Sequence, residues 1–298
     1  MKGIILAGGH GSRLNPITLS TTKQLLPVYS KPLIHYPLSI LMWAGIREIL
    51  LITKPKDKER YYAALKDGKH LGLDISYVEQ TEPRGISEAF ILGKEFIGKD
   101  DVCLILGDNI IHGYDLQAVL SDAVQRIKQK KTEALIFGYP VNNPKDYGIA
   151  KFDKNLKVVS LEEKPKKPKT NCAVIGLYIY KNTVVEDVKK IIPSQRGELE
   201  ITDLNKIYLN RGTLDFHYLG RGMAWFDTGT FETYYEAISY VRGIEKRQGM
   251  MISNIEEVAY RMGYISKKEL DNLISVMPNN EYRYYLENKV INEGNSNV

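Results

Sequence analysis

The first stretch with chemical potential is Leu6-Ala7-Gly8-Gly9-His10-Gly11-Ser12-Arg13-Leu14, a glycine-rich turn that ends on a cation. Backbone N–H groups at Gly8, Gly9 and Gly11 can approach a phosphate chain without side-chain obstruction, and Arg13 adds charge and forked donors. The spacing fits neither a Walker A loop, which ends in Gly-Lys-Ser/Thr, nor a dinucleotide fingerprint, because Gly9-x-Gly11 runs on to Leu14. An ordinary tight turn between strand and helix is the competing reading. Two acidic residues stand out further along: Asp108 after the apolar run Val102 to Leu106, and Asp227 after Trp225-Phe226. Both can project from strand ends into one crevice. A pair of carboxylates suits Mg²⁺, a hard ion that takes a few protein oxygens and fills its other positions with water and phosphate. Singly, each would read as a turn or cap residue. Lys164 beside Glu163 is by default a solvated surface pair, and Arg196 a charge at a helix start. None of the five histidines forms a triad or ligand pair, and no Gly-x-Ser-x-Gly turn occurs, so covalent catalysis is not indicated. His10 reads as an exposed loop residue, with an imidazolium facing phosphate as the alternative.

Positioning such groups requires strand ends. Short β-branched and apolar runs occur at Ile4 to Ala7, Glu48 to Thr53, Ile75 to Glu79, Val102 to Leu106 and Ala134 to Tyr139. Helix-like stretches lie between them: Pro37 to Ala44, Lys58 to Lys66, Ser87 to Phe96 and Leu116 to Lys128. This alternation predicts βαβ units and a mostly parallel sheet, in which ligands collect at the carboxyl ends of strands. From Tyr147 to Tyr180 the pattern changes to strands separated by turns, which predicts a mixed sheet or β-rich insertion. After Gly229 the chain reads as helical, at Glu232 to Lys246, Ile255 to Met262, Ser266 to Ser275 and Glu281 to Val290.

The 298 residues are 43% hydrophobic and 26% charged, the composition of an ordinary globular chain. The net charge of +5 is scattered rather than gathered into a basic tail, which argues for small anionic ligands and against nucleic acid. Cys103 and Cys172 have no spacing suited to zinc and read as buried thiols in a reducing cytosol. The 20 tyrosines fall in strand and helix patterns and read as core and interface residues, not as stacking platforms. No apolar run reaches membrane-spanning length, so a cytoplasmic protein is expected.

The glycine loop is followed by Lys23-Gln24-Leu25-Leu26-Pro27 and Lys31-Pro32, then by Leu106-Gly107-Asp108-Asn109 and Leu161-Glu162-Glu163-Lys164-Pro165. Arg196-Gly197-Glu198-Leu199-Glu200-Ile201-Thr202-Asp203 and Trp225-Phe226-Asp227-Thr228-Gly229-Thr230 complete the series. Together these blocks resemble the signature of the sugar-1-phosphate nucleotidyltransferases, and within them the glucose-1-phosphate thymidylyltransferase type, over nearly the whole chain.

The resemblance implies a Rossmann-like mixed, mostly parallel central sheet flanked by helices, with a C-terminal helical appendage. It implies a catalytic domain over 1–245, with a nucleotide part to about 110 and a sugar-phosphate part over about 111–230, and an appendage over 246–298. It also implies transfer of a thymidylyl group from dTTP to glucose 1-phosphate, with a UTP-dependent uridylyltransferase as the alternative. Arg13, Lys23 and Lys164 would be catalytic, with Mg²⁺ on Asp108 and Asp227. The nucleotide would meet Leu6, Gly8, Gly9, Gly11, Ser12, Gln24, Gln80, Gly85 and Asp108. The sugar phosphate would meet Asn109, Tyr147, Gly148, Glu163, Lys164, Val174, Tyr178 and Arg196. A homotetramer with a second site at Gly113, Arg221, Glu257 and Arg261, inhibited by a downstream dTDP-sugar, is the further implication. Arg84, His112 and Ile175 depart from the residues usual in the family, and at Arg84 the usual residue is acidic. A non-catalytic sugar-nucleotide sensor would be expected to lack Asp108, Asp227 or Lys164, and all three are present.

Overall fold

The strand runs alternate between two buried faces, and that alternation sets the layers. Ile4, Leu50, Ile52, Val102 and Leu104 enter one apolar cluster, whereas their neighbours Ile5, Ile49, Leu51, Cys103 and Ile105 enter another. Strands apolar on both faces need helices on both sides, and each fully buried Ile or Leu contributes about 1.5–3 kcal/mol. The computed structural model describes residues 1–129 and 131–291.

The strands are β1 (Lys2–Leu6), β2 (Pro27–Val28), β3 (Lys31–Pro32), β4 (Glu48–Thr53), β5 (Asp74–Glu79), β6 (Val102–Leu106) and β7 (Ile110–Gly113). They continue with β8 (Ala134–Pro140), β9 (Gly148–Phe152), β10 (Val158–Glu163), β11 (Cys172–Tyr180), β12 (Leu214–Tyr218) and β13 (Met223–Phe226). The helices are α1 (His35–Trp43), α2 (Lys58–Leu65), α3 (Glu88–Leu92), α4 (Lys94–Ile97), α5 (Leu116–Lys128) and α6 (Val184–Asp187). After them come α7 (Ile201–Arg211), α8 (Phe231–Gln248), α9 (Ile255–Arg261), α10 (Lys267–Ser275) and α11 (Glu281–Tyr285), the last running into a π-helix at Leu286–Ile291.

A nine-stranded sheet runs β10-β9-β11-β6-β1-β4-β5, with β8 on the other side of β11 and β12 beyond it. The β6-β1-β4-β5 block is parallel, as the alternation predicts. Antiparallel pairing of β11 with β6 converts the sheet to a mixed one where the turn-rich segment begins to contribute. A separate ribbon pairs β13 with β7, with Phe226 opposite Ile110 and Met223 opposite Gly113.

One predicted helix differs from the structure. The stretch from Ser87 to Phe96 breaks at Gly93 into α3 and α4, where a β-carbon would lie 2.9 Å from both Ala89 O and Ile4 Cδ1. Close approach to β1 is the physical reason for glycine there.

The C-terminal helices share the main core: Ile255, Val258, Ala259, Leu270, Ile274 and Tyr285 belong to the cluster that also holds Leu38, Leu41 and Ile5. Two helix starts in this part of the chain are marked locally, α8 by a Thr230/Thr233 capping box and α10 by one at Ser266/Glu269. Burial pushes both thiols, Cys103 and Cys172, up to about 12, so neither is a thiolate at neutral pH. The polar end at 292–298 lies outside the described residues.

Candidate active site

The loop after β1 is shaped by its glycines. Gly11 has φ +62°, a conformation open to glycine, and caps a 3-10 turn at Ser12–Leu14. At Gly9 nothing lies within 4 Å of a β-carbon position, which leaves this backbone face free for a ligand. At Gly8 a β-carbon would stand 2.1 Å from Gln80 Oε1, so the carboxyl ends of β1 and β5 meet there. Leu6 closes β1 and Ser12 opens the turn; Arg13 beside it is exposed, as is His10.

Arg13 reaches the opposite wall. A β-carbon on Gly229 would lie 3.0 Å from Arg13 Nη2 and 3.3 Å from Asp227 Oδ2. Lys23, buried to 6% exposure, donates to Asp108 Oδ2 at 2.6 Å and to the backbone oxygen of Asp227 at 3.2 Å. The two acidic residues therefore converge, one after β6 and one after β13. Thr228 Oγ1 donates to Asp108 O at 2.8 Å, and Thr228 holds φ +43°, a left-handed conformation costly for a β-branched residue, on the order of 1–3 kcal/mol. Asn109 lies beneath, donating to Asp108 Oδ1 at 3.0 Å, while its own oxygen accepts from Trp225 Nε1 at 2.6 Å and Gly176 N at 3.2 Å. Tyr147 packs edge-on against Trp225 and donates to Asp227 Oδ2 at 3.3 Å. Burial, then the Asp227 charge, holds that phenol well above its ordinary pKa.

Asp108 and Asp227 thus offer hard oxygen donors beside an ammonium. Among the described residues no three His, Cys, Asp or Glu side chains gather as a metal cage. This donor set fits an ion such as Mg²⁺, which keeps most of its positions for water and phosphate oxygens.

Where the sequence leads one to expect the sugar phosphate, β9 and β10 bring Gly148 against Glu163, and a β-carbon would lie 3.2 Å from Glu163 Oε2. Thr202 Oγ1 donates to that same oxygen at 2.5 Å. Lys164 has φ +39° and is exposed, and its backbone N–H donates to Tyr147 O at 3.1 Å. Among the described residues no carboxylate pairs with its ammonium, so the expected default partnership with Glu163 is not formed. Arg196 stands within three carboxylates, with Nη2 2.8 Å from Glu200, 3.4 Å from Glu163 and 3.5 Å from Glu198. Desolvation works against its charge, but these carboxylates outweigh it and raise the guanidinium pKa. Val174 is half-buried on β11, while Tyr178 is 3% exposed, stacked on Tyr180 in the core.

Of the residues expected to meet the base, Gln24 is buried and its oxygen accepts from Thr22 Oγ1 and Tyr61 OH, each at 3.0 Å. Gly85 has φ +101°, and a β-carbon there would come within 2.6 Å of Leu199 N and O, so the loop at Gly85 is strapped to the segment that carries Arg196.

Contacts join the glycine loop, Gln80, Lys23, Asp108, Asp227 and Tyr147 at the carboxyl ends of β1, β5 and β6. The sequence profile of nucleotidyl transferases matches residues 2–243. The chain belongs to the nucleotidyl transferase family. Its relatives include a glucose-1-phosphate thymidylyltransferase of Neisseria meningitidis, 50% identical over 96% of this chain and 98% of that one. A solved Bacillus anthracis chain crystallised with sucrose is 38% identical, with TM-score 0.74 over 81% of this chain and 95% of that one. A UDP-glucose pyrophosphorylase complexed with UDP-glucose is 25% identical, with TM-score 0.71 over 82% and 98%.

In this nucleotidyl transferase the positions away from the crevice fall in two local pairs. Gly113 and Met223 pair at the far end of the β7–β13 ribbon, and Arg221 just before it is exposed. Glu257 accepts from Arg261 Nε and Tyr285 OH, both at 2.6 Å. Gln117, near the start of α5, donates to Met262 Sδ at 3.4 Å, beside Arg261. Sequence reasoning passed over Thr228, Trp225, Thr202 and Glu88. The first two flank Asp227 in the aromatic block, and Thr202 follows Arg196 closely, so proximity to a named residue was the available signal. His112 donates to or accepts from Tyr240 OH at 2.9 Å, apart from the crevice.

Proposed function

We propose that this nucleotidyl transferase moves the thymidylyl group of dTTP to glucose 1-phosphate, releasing pyrophosphate and forming dTDP-glucose, an entry step to dTDP-deoxysugars such as dTDP-rhamnose. The observation that carries this reading is the 50% identity, over 96% of the chain, to a glucose-1-phosphate thymidylyltransferase. An oxygen of the sugar phosphate attacks the α-phosphorus; the new O–P bond forms as the bond to the bridging oxygen of pyrophosphate breaks on the opposite side. The nucleophile is already ionised at neutral pH and needs no general base.

The chain's residues position the reactants and balance charge. The Gly8–Gly11 backbone and Arg13 take the triphosphate, with Lys23 beside it. Lys164 and Arg196 take the sugar phosphate, and Glu163, oriented by Thr202, takes a sugar hydroxyl. Gln80 reads the imide edge of the base. Asp108 and Asp227 would hold Mg²⁺. Bound there, the ion neutralises charge on the phosphate oxygens.

The same reading makes the enzyme a cytoplasmic homotetramer, inhibited by a dTDP-sugar at Gly113, Arg221, Glu257 and Arg261. In support, both thiols are free and buried, and no described helix is long and apolar enough to cross a membrane. The ribbon that leads into Asp227 at one end carries Gly113 at the other, roughly 14 Å away, with Arg221 just before it, which puts the two proposed sites on one element.

Pyrophosphate release measured across dTTP, UTP, CTP and GTP, each with several sugar 1-phosphates and Mg²⁺, tests the reading. The dTTP and glucose 1-phosphate pair is expected to turn over best. A preference for UTP would make the enzyme a uridylyltransferase, and no turnover with any pair would sink the proposal.

A further inference from the structure

The base end of the crevice contains a hydrogen-bond chain that the transfer chemistry leaves unused. Gln80 follows edge strand β5, and its backbone N–H donates to Thr53 O at 2.7 Å, which fixes where the side chain begins. Its Nε2 donates to Glu88 Oε2 at 2.7 Å. Glu88 is 2% exposed and is also held by Arg84: the backbone N–H donates to the same Oε2 at 3.1 Å, while Nε donates to Oε1 at 2.8 Å and Nη2 lies 2.7 Å from Oε1. The loop bearing Arg84 is itself fixed, since Leu199 N donates to Arg84 O at 2.8 Å.

An ionised carboxylate accepts and does not donate. Glu88 therefore holds the Gln80 amide in one of its two orientations, with NH₂ inward and oxygen outward. That oxygen lies over Gly8, and among the described residues nothing donates to it. A free acceptor, fixed by a buried charge, faces the phosphate loop.

We propose that Glu88 and Arg84 are positioning residues for base selection. By locking Gln80 Oε1 as an acceptor, they admit a pyrimidine whose N3 carries hydrogen, thymine or uracil, and turn away cytosine, whose N3 is itself an acceptor. The inference rests on the reading that Gln80 meets the base and specifies how that contact is set. The relay has a polarity that can be reversed and restored. In Glu88→Gln, the two charge-assisted donors of the Arg84 guanidinium outweigh its single backbone N–H and take the oxygen of the new amide, whose NH₂ then faces Gln80 and turns the Gln80 oxygen inward. Adding Arg84→Asp reverses the outer end: the aspartate accepts from the new amide's NH₂, and that amide's oxygen again accepts from Gln80.

The test compares kcat/KM for dTTP and dCTP, with glucose 1-phosphate, in the wild type, E88Q and R84D/E88Q. The dTTP:dCTP ratio is expected to fall on the order of 10-fold in E88Q, the effect of relieving the acceptor–acceptor clash with cytosine and leaving the Gln80 NH₂ against the N3–H of thymine. It is expected to return near the wild-type value in the double variant, which a merely structural loss would not do. If a variant turns over too slowly to measure, equilibrium binding of dTTP and dCTP gives the same ratio. A wild-type ratio in E88Q, or a double variant that stays at the E88Q value, overturns the relay. A wild type that uses neither dTTP nor UTP overturns the function reading instead, a result distinct from an unchanged ratio among active variants.

Discussion

Lys23 Nζ donates to Asp108 Oδ2 at 2.6 Å across 85 residues of chain. The same ammonium reaches the backbone oxygen of Asp227, so one buried cation joins the two segments whose carboxylates face the crevice. Asp108→Asn keeps the shape and an acceptor for Lys23 but removes a formal charge. Turnover at saturating Mg²⁺ is expected to fall on the order of 10²–10³-fold, with the circular dichroism spectrum unchanged. Near-normal turnover would detach Asp108 from the metal.

Lys164 combines φ +39° with an ammonium that no carboxylate among the described residues pairs. Lys164→Ala and Lys164→Gly should both lower the rate on the order of 10²–10³-fold, because each removes one electrostatic stabiliser. They should differ in stability. Glycine adopts the left-handed conformation without steric cost, so the glycine variant is expected to exceed the alanine variant by about 1 kcal/mol in urea unfolding. Equal stabilities would mean that the backbone there is not strained.

The C-terminal region is anchored by a buried ion pair. Lys31 Nζ is 2.7 Å from Glu245 Oε1, with the side chains 1% and 5% exposed, and Glu245 also accepts from Ile252 N at 2.9 Å. Lys31→Met leaves a buried carboxylate without its cation and should cost about 3–5 kcal/mol. Adding Glu245→Leu to that variant should recover part of the loss. Chemical denaturation of both variants checks this, and a larger loss in the double variant would contradict it.

Burial, and then the charge of Lys31, lowers the His35 pKa to about 3, and its Nδ1 is sealed without a partner. The folded value lies below the unfolded 6.5, so the fold favours the neutral ring. The contribution is complete above pH 6.5 and is lost as pH falls from there toward 3, at a slope approaching about 1.4 kcal/mol per unit. The difference in unfolding free energy between the wild type and His35→Phe should therefore shift against the wild type from pH 7 to pH 5. A pH-independent difference would mean that His35 is protonated as readily in the fold as in the unfolded chain.

Arg221 is exposed at the ribbon end opposite Asp227, next to Gly222. Arg221→Ala should weaken inhibition by dTDP-rhamnose at least several-fold, the effect of losing a charge-assisted hydrogen bond, while leaving uninhibited turnover near normal. Unchanged inhibition, or inhibition purely competitive with dTTP in the wild type, would place the effector elsewhere.

Much of this protein is legible in local pattern. The runs at Ile4, Glu48 and Val102 are apolar on both faces and can only be inner strands, which places Gly8 and Asp108 at strand ends. The Thr230 and Ser266 caps mark helix starts for the same local reason. The family blocks supplied names for residues such as Lys164 and Arg196 that composition and periodicity leave as surface charges. Tertiary structure decided which groups meet. That Lys23 bridges residues 108 and 227, that Glu88 aims the Gln80 amide, that Tyr178 faces core, and that Glu245 closes on Lys31 all depend on strand order and register. Periodicity reports which face of an element is apolar; it carries no information on which distant element covers that face, because that choice is made by packing the whole chain at once.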